Sequence, residues 1–521
     1  MQAPAATRYL QPVVTQFKQS DLAVPFPVRE SAPGQSFENI NAPFEDLRIL
    51  TTNFQGQIWL ASTNGAVCFD QRSSDLWTRW RVFSGRRWLT DNDVKNISID
   101  PSAPGQIWVR TASGVSLIDF QEYSLEKKAA FFEDRIQKRH VRHGLVADCS
   151  FIVPGNLSKS FPISTDNDGL WSAIYIAAEC YRYVATGAPE ARRNALRSIE
   201  ALIRLEAITG IPGFPARSFV ANDEALPGDG EWHLTLDGKW RWKGDTSSDE
   251  IVGHYFAYSV YFDMVADKKE KEEIRQVVTK ITDHIIDHGW NLIDVDGKPT
   301  TWGQWSEDYF ASEIGRDDQG LNALEILSFL KTAYHITGLP RYKAAYEERL
   351  ARGYAKRMSL YRSAEINFSD DELAFLSWQP LLKYEQDSKL RAIYLQPFTA
   401  LANAVRTDRN PLWNFIVLES IRPRDFQQLI AESSMTLERI PMDLVNWSVR
   451  NSNRKDIQYR AGRERFGRRE LINALPPDER PVGRWNSNPY YADGGGGGHT
   501  EDDGAFFLLP YWLGRYHHWI K

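Results

Sequence analysis

The feature that most constrains this chain is a recurring apolar helix introduced by acidic residues. Asp166-Asn167-Asp168-Gly169 leads into Leu170–Gly187, and Asp317-Asp318-Gln319-Gly320 leads into Leu321–Gly338, a segment of equal length that also closes on Gly. Asp249-Glu250-Ile251-Val252-Gly253 opens a similar run from His254, and Glu501-Asp502-Asp503-Gly504 opens one from Ala505. A helix that is apolar on most faces belongs in an interior. The segments 189–206, 268–288 and 340–357, which follow the first three, are instead polar and charged. Buried helix then solvated helix, with more helical material in 371–430, predicts a mainly α fold. Its expected form is an (α/α) toroid or barrel of about six helical hairpins whose inner helices ring a central cavity. Pro510 is expected to kink the last inner helix.

A second repeat lies upstream. Gly56-Gln57-Ile58-Trp59 recurs as Gly105-Gln106-Ile107-Trp108, and Ser62-Thr63-Asn64-Gly65 is echoed by Thr111-Ala112-Ser113-Gly114, both at an interval of 49 residues. Short β-branched and aromatic runs between Gly and Asn read as strands, and the period suits propeller blades. A closed propeller takes about 4–8 blades, and two are visible, so other parts of the chain must cover the sheet edges. The expected division is therefore 1–122, an extended arm (1–40) and a small β domain of blade-like repeats, and 123–521, the toroid.

The acidic clusters are expected to converge on one rim of the ring. Each alone is explained by helix capping; several around one cavity point to a site. Asp166, Asp168 and Asp249 are thus candidate substrate binders. His254 and Tyr255 follow the second cluster and could serve as base and acid, with Asn322 and Trp171 at the corresponding places of neighbouring helices. Trp occurs 18 times, more than a core requires, and indole faces stack on sugar rings; Trp302 and Trp305 lie in an excursion between helices. Residues 226–246 carry Trp232, Trp240 and Trp242 around the hairpin-turn pair Asp237-Gly238. Arg450, Arg454, Lys455, Arg460, Arg463, Arg465, Arg468 and Arg469 form a basic run on a chain of net charge −6, suited to an anionic glycan because Arg grips carboxylates with two hydrogen bonds. Arg484, Asn486 and Asn488 extend it, and His499 follows the glycine run 494–498.

No cofactor or metal is implied. His284 and His288 have ligand spacing with Asp283 and Asp287 beside them, but no third ligand, and the Asp166–Gly169 loop lacks the distal Glu of a calcium loop. Cys68, Cys149 and Cys180 fit neither a disulfide framework nor a metal site. The acidic balance argues against nucleic acid, and no apolar stretch approaches the about 20 residues of a bilayer-spanning helix. Residues 1–20 show no secretory signal. Met1 nevertheless precedes Gln-Ala-Pro-Ala-Ala-Thr, which reads like a mature N-terminus, so export (periplasm, cell surface or medium) is expected.

Asp166–Trp171, Gly213-Phe214-Pro215-Ala216-Arg217-Ser218, Asp249–Tyr255, Gly320-Leu321-Asn322-Ala323-Leu324-Glu325 and the stretch from Asn488-Pro489-Tyr490 to Gly504 together resemble exported bacterial proteins of polysaccharide lyase family 27. These join regulator-propeller-like β repeats to a helical toroid. The resemblance spans about residues 45–521. It implies a lyase that cleaves L-rhamnose-α-1,4-D-glucuronate in arabinogalactan side chains, such as those of gum arabic, by β-elimination. The partner would be an anionic, uronate-containing polysaccharide or oligosaccharide. Position and chemistry then suggest His254 as base, Tyr255 as acid or base, and Asn322 or Arg316 as neutraliser of the uronate carboxylate. Trp171, Trp302 and Trp305 would be stacking platforms, and Arg450, Arg484 and His499 further substrate contacts. Two alternatives stay open. A toroidal glycoside hydrolase would draw a carboxylate pair from Asp166, Asp168, Asp249, Glu250, Asp317, Asp318 and Asp502. A glycan-binding or sensor module would bind without turnover.

Overall fold

A computed structural model describes residues 7–18, 41–48, 50–52, 55–100, 102–226, 228–361, 368–465, 468–481, 483–484 and 486–521. The chain divides into two compact units: 1–130 with 150–160 and 435–502, and 131–149 with 161–434 and 503–521. This differs from a single boundary near residue 122, because the irregular basic segment groups with the β-rich part.

In the β-rich unit the strands are β1 (Arg8–Lys18), β2 (Leu50–Thr52), β3 (Ile58–Ser62), β4 (Gly65–Phe69), β5 (Trp80–Phe83), β6 (Val94–Ile99), β7 (Gln106–Thr111) and β8 (Gly114–Ser124). They form two four-stranded antiparallel sheets, β2-β3-β4-β5 and β1-β8-β7-β6. The repeated Gly-Gln-Ile-Trp opens β3 in one sheet and β7 in the other. The expected arm is corrected in part: residues 8–18 are a strand paired with β8 along its whole length, from Arg8↔Ser124 to Lys18↔Gly114. The rest of that arm, 1–6 and 19–40, lies outside the described residues. One core joins the sheets through Trp59, Phe83, Trp88, Ile107 and Val109, and Trp59 stacks on Phe83. A short helix, α1 (Leu76–Arg79), links β4 to β5.

Residues 435–502 contribute a buried ion cluster to this unit. Arg439 binds Asp478 and Glu479, Arg81 binds Asp478, and Arg454 binds Glu479 and Asp456, with the side chains of Arg439, Asp478, Glu479 and Arg454 almost fully enclosed. Lys128 is wholly buried, its ammonium donating to Gln11 Oε1 and to the carbonyls of Leu437, Glu438 and Ile440. These groups replace the hydration each charge gives up.

The second unit is helical. After α2 (Leu125–Arg135) come α3 (Asp168–Thr186), α4 (Pro189–Ala207), α5 (Ser248–Met264), α6 (Lys268–Asp287), α7 (Glu307–Ala311), α8 (Gly315–Thr337), α9 (Pro340–Ala351) and α10 (Tyr354–Arg357). They are followed by α11 (Phe368–Tyr384), α12 (Ser388–Ala404), α13 (Pro411–Ser420), α14 (Phe426–Arg439) and α15 (Ala505–Tyr516). The helices that are apolar all round, α3, α5, α8, α11, α13 and α15, pack each on the next, and α15 returns to α3. They close a ring. Tyr255 stacks on Phe329 between α5 and α8, and Phe375 on Trp413 between α11 and α13. The alternate helices are amphipathic: α4 and α6 bury only one stripe. The expected helix 340–357 is two pieces, separated where Gly353 takes a left-handed φ of 84°, and α15 continues through Pro510.

Close approach of α3 and α5 depends on glycine. A Cβ on Gly253 would lie 2.6 Å from the Leu170 Cα, and one on Gly169 would lie 2.0 Å from Glu250 Oε2. Gly253→Ala is expected to force these helices apart at a cost of about 1–3 kcal/mol, read as a lowered urea midpoint of the helical unit.

Candidate active site at the rim of the helix ring

The first turns of α3 and α5 touch, and acids of α5, α8 and α11 lie near one another. Glu250, in the first turn of α5, accepts the Gly169 N–H of the first turn of α3 at 3.0 Å. Farther round, Asp249 of α5, Asp318 of α8 and Asp370 of α11 all bear on Glu325 of α8. Acids from three helices therefore share one neighbourhood. Ordinary capping does not account for them. On the outside of the ring, Asp267 caps α6 in a reciprocal capping box and Asp387 caps α12. At α3, α5 and α8 the N-cap residue makes no side-chain cap bond.

Protonation follows from burial. Glu325 is fully enclosed; burial pushes its carboxyl well above the usual range, the Trp305 indole N–H opposes this at 2.9 Å, and the neighbouring acids push further upward. Burial likewise raises Glu250, against the Gly169 N–H and the Arg217 charge. Asp249 and Asp318 are partly exposed, and both are raised. For Asp249, burial outweighs its own backbone N–H and Arg217; for Asp318, burial outweighs a 2.7 Å hydrogen bond from the Tyr309 hydroxyl. Asp249, Glu250, Asp318 and Glu325 are thus biased toward the neutral, proton-donating form, whereas in Asp166 burial is outweighed by Lys243 and Arg217, which hold its carboxyl below the usual range. Beside them lies the half-buried Arg217, whose guanidinium donates to the Asp166 carbonyl at 2.7 Å and whose charge reaches Asp249 and Glu250.

The sign of the Glu325 shift has a consequence. Below about pH 4.5 its proton is bound in both states; above that, the folded chain retains a proton that the unfolded chain releases. Wild-type stability therefore falls as pH rises from 4.5 to the raised folded value. Glu325→Gln, which keeps an acceptor for Trp305, is expected to lose this slope, so its melting temperature should gain on wild type as the buffer moves from pH 5 to pH 9.

The other residues singled out in the sequence fall into three groups. The first is at least partly exposed. Asp166 is exposed and paired with the Lys243 ammonium; Trp171 is half-buried, Trp302 is 43% exposed and Arg316 is exposed. The second is enclosed, which corrects several expectations. His254 is fully buried; its Nδ1 meets the Tyr258 hydroxyl at 3.0 Å, and its Nε2, with no hydrogen-bond partner, lies 3.8 Å from the equally unpartnered Glu250 Oε2. Burial pushes its pKa down to about 3, so the imidazole is neutral. Tyr255 turns toward the outer layer, its hydroxyl 2.6 Å from Thr282 Oγ1 of α6. Asn322 is buried and donates to the Gln304 carbonyl. Asp168 is sealed by Arg142, Ser218 and Thr165. Trp305 is wholly buried against Phe329 and presents no face for stacking.

The third group lies in the β-rich unit. Arg450 and His499 are exposed, and Arg484 Nε is 3.6 Å from Asp502. The basic run is not one anion site: Arg454 belongs to the buried ion cluster, while Arg460 and Arg469 lie over the Tyr490 and Tyr459 rings. The side chains of Arg463 and Arg465 lie outside the described residues. His284 has both ring nitrogens engaged, with the Pro212 carbonyl and the Ile293 N–H. Among the described residues no group of three or more His, Cys, Asp or Glu could hold a metal ion, and no helix is long and apolar enough to cross a membrane. All three cysteines are buried and none forms a disulfide.

Sequence reasoning missed Glu325 and Arg217 as site residues. The signal for Glu325 was a single carboxylate inside the apolar run Leu321–Leu330. Arg217 stood in a Gly-Pro-rich loop, with nothing local to mark where it would land.

No family model matches the sequence, and no curated protein matches it. Among solved structures, similarity extends to a sugar epimerase from a ruminal bacterium (11% identity, 74% of this chain and 97% of that one, TM-score 0.40). It extends also to a family 76 glycoside hydrolase, a mannosidase from Bacteroides thetaiotaomicron (9%, 76% and 99%, TM-score 0.41), and to a polysaccharide lyase (11%, 76% and 98%, TM-score 0.34). At these scores and identities none assigns the chain a family or an activity.

Proposed function

We propose that this chain is a carbohydrate-active enzyme of the (α/α)-toroid kind that cleaves a uronate-containing glycan at the rim of its helix ring. The first reading is β-elimination at a 4-linked glucuronate, as in rhamnose-capped arabinogalactan side chains, and its bearer would be an exported protein. The observation that carries it is Arg217 set among carboxyls held toward the neutral form. Elimination requires that the uronate carboxylate be neutralised before its C5 proton becomes acidic, and a guanidinium beside proton-donating carboxyls meets that need. In this reading Arg217, with Arg316, holds the carboxylate. Asp249, whose raised pKa makes it the stronger base once it has lost its proton, takes the C5 proton as the C4–O bond breaks and the C4–C5 double bond forms, and neutral Asp318 gives its proton to the departing oxygen. Trp171 and Trp302 supply stacking faces. His254 supports Glu250 from beneath instead of meeting substrate, and Tyr255 takes no part.

Hydrolysis by the same acids is the second reading, favoured by one observation: Asp249 and Asp318 are both partly exposed and both raised, as general acids are. The products decide between them. Incubation with glucuronate-capped arabinogalactan should give an ultraviolet-absorbing unsaturated uronate together with released rhamnose if elimination operates. Released sugar without that absorbance assigns hydrolysis, and neither product from this or other polyuronates removes both readings.

A further inference from the structure

We infer that the β-rich unit carries a sugar-binding pocket of its own. A cavity of about 240 Å³ opens there, lined among others by Trp77, Trp80, Arg79, Asp456, Gln458 and Asn473. It is smaller than the about 300–1,000 Å³ of sites that enclose drug-sized ligands, and suits one sugar ring.

Its aromatic floor is fixed by the core: Trp77 and Trp80 are buried there, and only their edges border the cavity. Trp77 is anchored by its indole N–H to the Ala474 carbonyl at 3.0 Å, and Trp80 stacks on Phe69 with centroids 4.2 Å apart. The 49-residue repeat accounts for Trp59 and Trp108. The same interval from Trp77 and Trp80 reaches Glu126 and Ala129; Trp80 instead packs in a core cluster with Phe44, Leu60, Val67, Phe69 and Val82. The polar wall is also held in place. Asp456 receives both ends of the buried Arg454 guanidinium, at 2.9 and 2.7 Å, and keeps outward acceptor capacity. Gln458 and Asn473 are exposed amides, each offering donor and acceptor. Arg79 is half-exposed and makes no ion pair among the described residues. Leu76, 62% exposed, also lines the cavity and extends its apolar side.

Indole edges, two amides, an oriented carboxylate and a guanidinium within one small cavity match the alternating hydroxyl and C–H surface of a sugar. A purely apolar ligand would leave those polar groups unpaired. Only the choice of glycan rests on the proposed function.

The test uses the full chain carrying Asp249→Asn, so that bound glycan is not consumed, in affinity electrophoresis through gels containing arabinogalactan or a polyuronate. Asn473→Trp fills the mouth from an exposed position, and Gln458→Ala removes one amide without adding bulk. Both should weaken retardation, Asn473→Trp by about fivefold or more in apparent Kd, roughly 1 kcal/mol. In the otherwise wild-type chain, Asn473→Trp should raise KM for polymer more than for a short oligosaccharide. Retardation unchanged in both variants, or no retardation of the parent in any gel, overturns the pocket. Turnover with retardation unchanged in both variants removes the pocket and leaves the rim reading standing. Retardation sensitive to Asn473→Trp without any turnover does the reverse.

Discussion

Asp249→Asn is expected to lower turnover of a uronate glycan by about a thousandfold, within the range of about 10²–10⁴ that a positioned proton-transfer group contributes. Its melting temperature should stay near that of wild type. The substitution keeps the shape of the side chain and its capacity to accept a hydrogen bond, and it removes a carboxyl that burial already drives toward neutrality. The same replacement at Asp168 should behave in the opposite way. That carboxylate is closed off by Arg142, Ser218 and Thr165, so Asp168→Asn should cost stability before it costs chemistry. Initial rates at saturating substrate, set beside thermal melts of the same preparations, separate the two behaviours. If Asp249→Asn retained more than a tenth of wild-type turnover, Asp249 would not be the group that moves the proton.

The largest effect on stability is expected at Asp478. Its carboxylate is enclosed between Arg439 and Arg81, at 2.8 and 2.7 Å. Burial alone would raise this carboxyl, but the two guanidinium charges hold it below the ordinary range. Asp478→Ala takes the carboxylate partner from Arg81, leaves Arg439 with Glu479 as its remaining carboxylate, and should destabilise the β-rich unit by about 3 kcal/mol. A carboxyl depressed in the folded state stabilises above its unfolded pKa of about 3.9 and loses that contribution as pH falls through the folded value. Wild type should therefore weaken steeply in acid, and the variant less so. Urea unfolding followed by tryptophan fluorescence at pH 7 and pH 3 measures both terms. A variant midpoint equal to wild type at pH 7 would mean the cluster contributes nothing net.

Local pattern carried much of the architecture into the sequence. Helices such as Leu321–Thr337, apolar on every face, have nowhere to go but an interior, and the charged helices after them have only one apolar stripe to bury. Their order alone implied a ring. The acids preceding them were equally visible, and Asp249 does share a neighbourhood with Asp318 and Glu325, while Glu250 meets the Gly169 N–H. What the sequence concealed depends on distance along the chain. Nothing in Arg8–Lys18 names Gly114–Ser124 as its partner, and the basic run 450–469 looked like one patch because pairing with Glu479 cannot be read from spacing. The stacking role expected of Trp305 is lost for a related reason. Indoles serve cores as well as sugars, and Trp59, Trp80, Trp88, Trp242, Trp305 and Trp378 are all buried. His254 and Tyr255 were misplaced by a helical phase of one or two residues. At that point on α5 the side chains turn into the helix packing and toward α6, while Asp249, a turn earlier, remains at the opening.

Cleavage of a uronate glycan by the rim acids is the proposed activity. Its most direct test follows absorbance of unsaturated uronate and release of rhamnose from glucuronate-capped arabinogalactan, with wild type, Asp249→Asn and Arg217→Ala side by side. The account expects both products from wild type and loss of both in the two variants, whose melts remain like wild type. Undiminished product formation by folded Asp249→Asn and Arg217→Ala would contradict it.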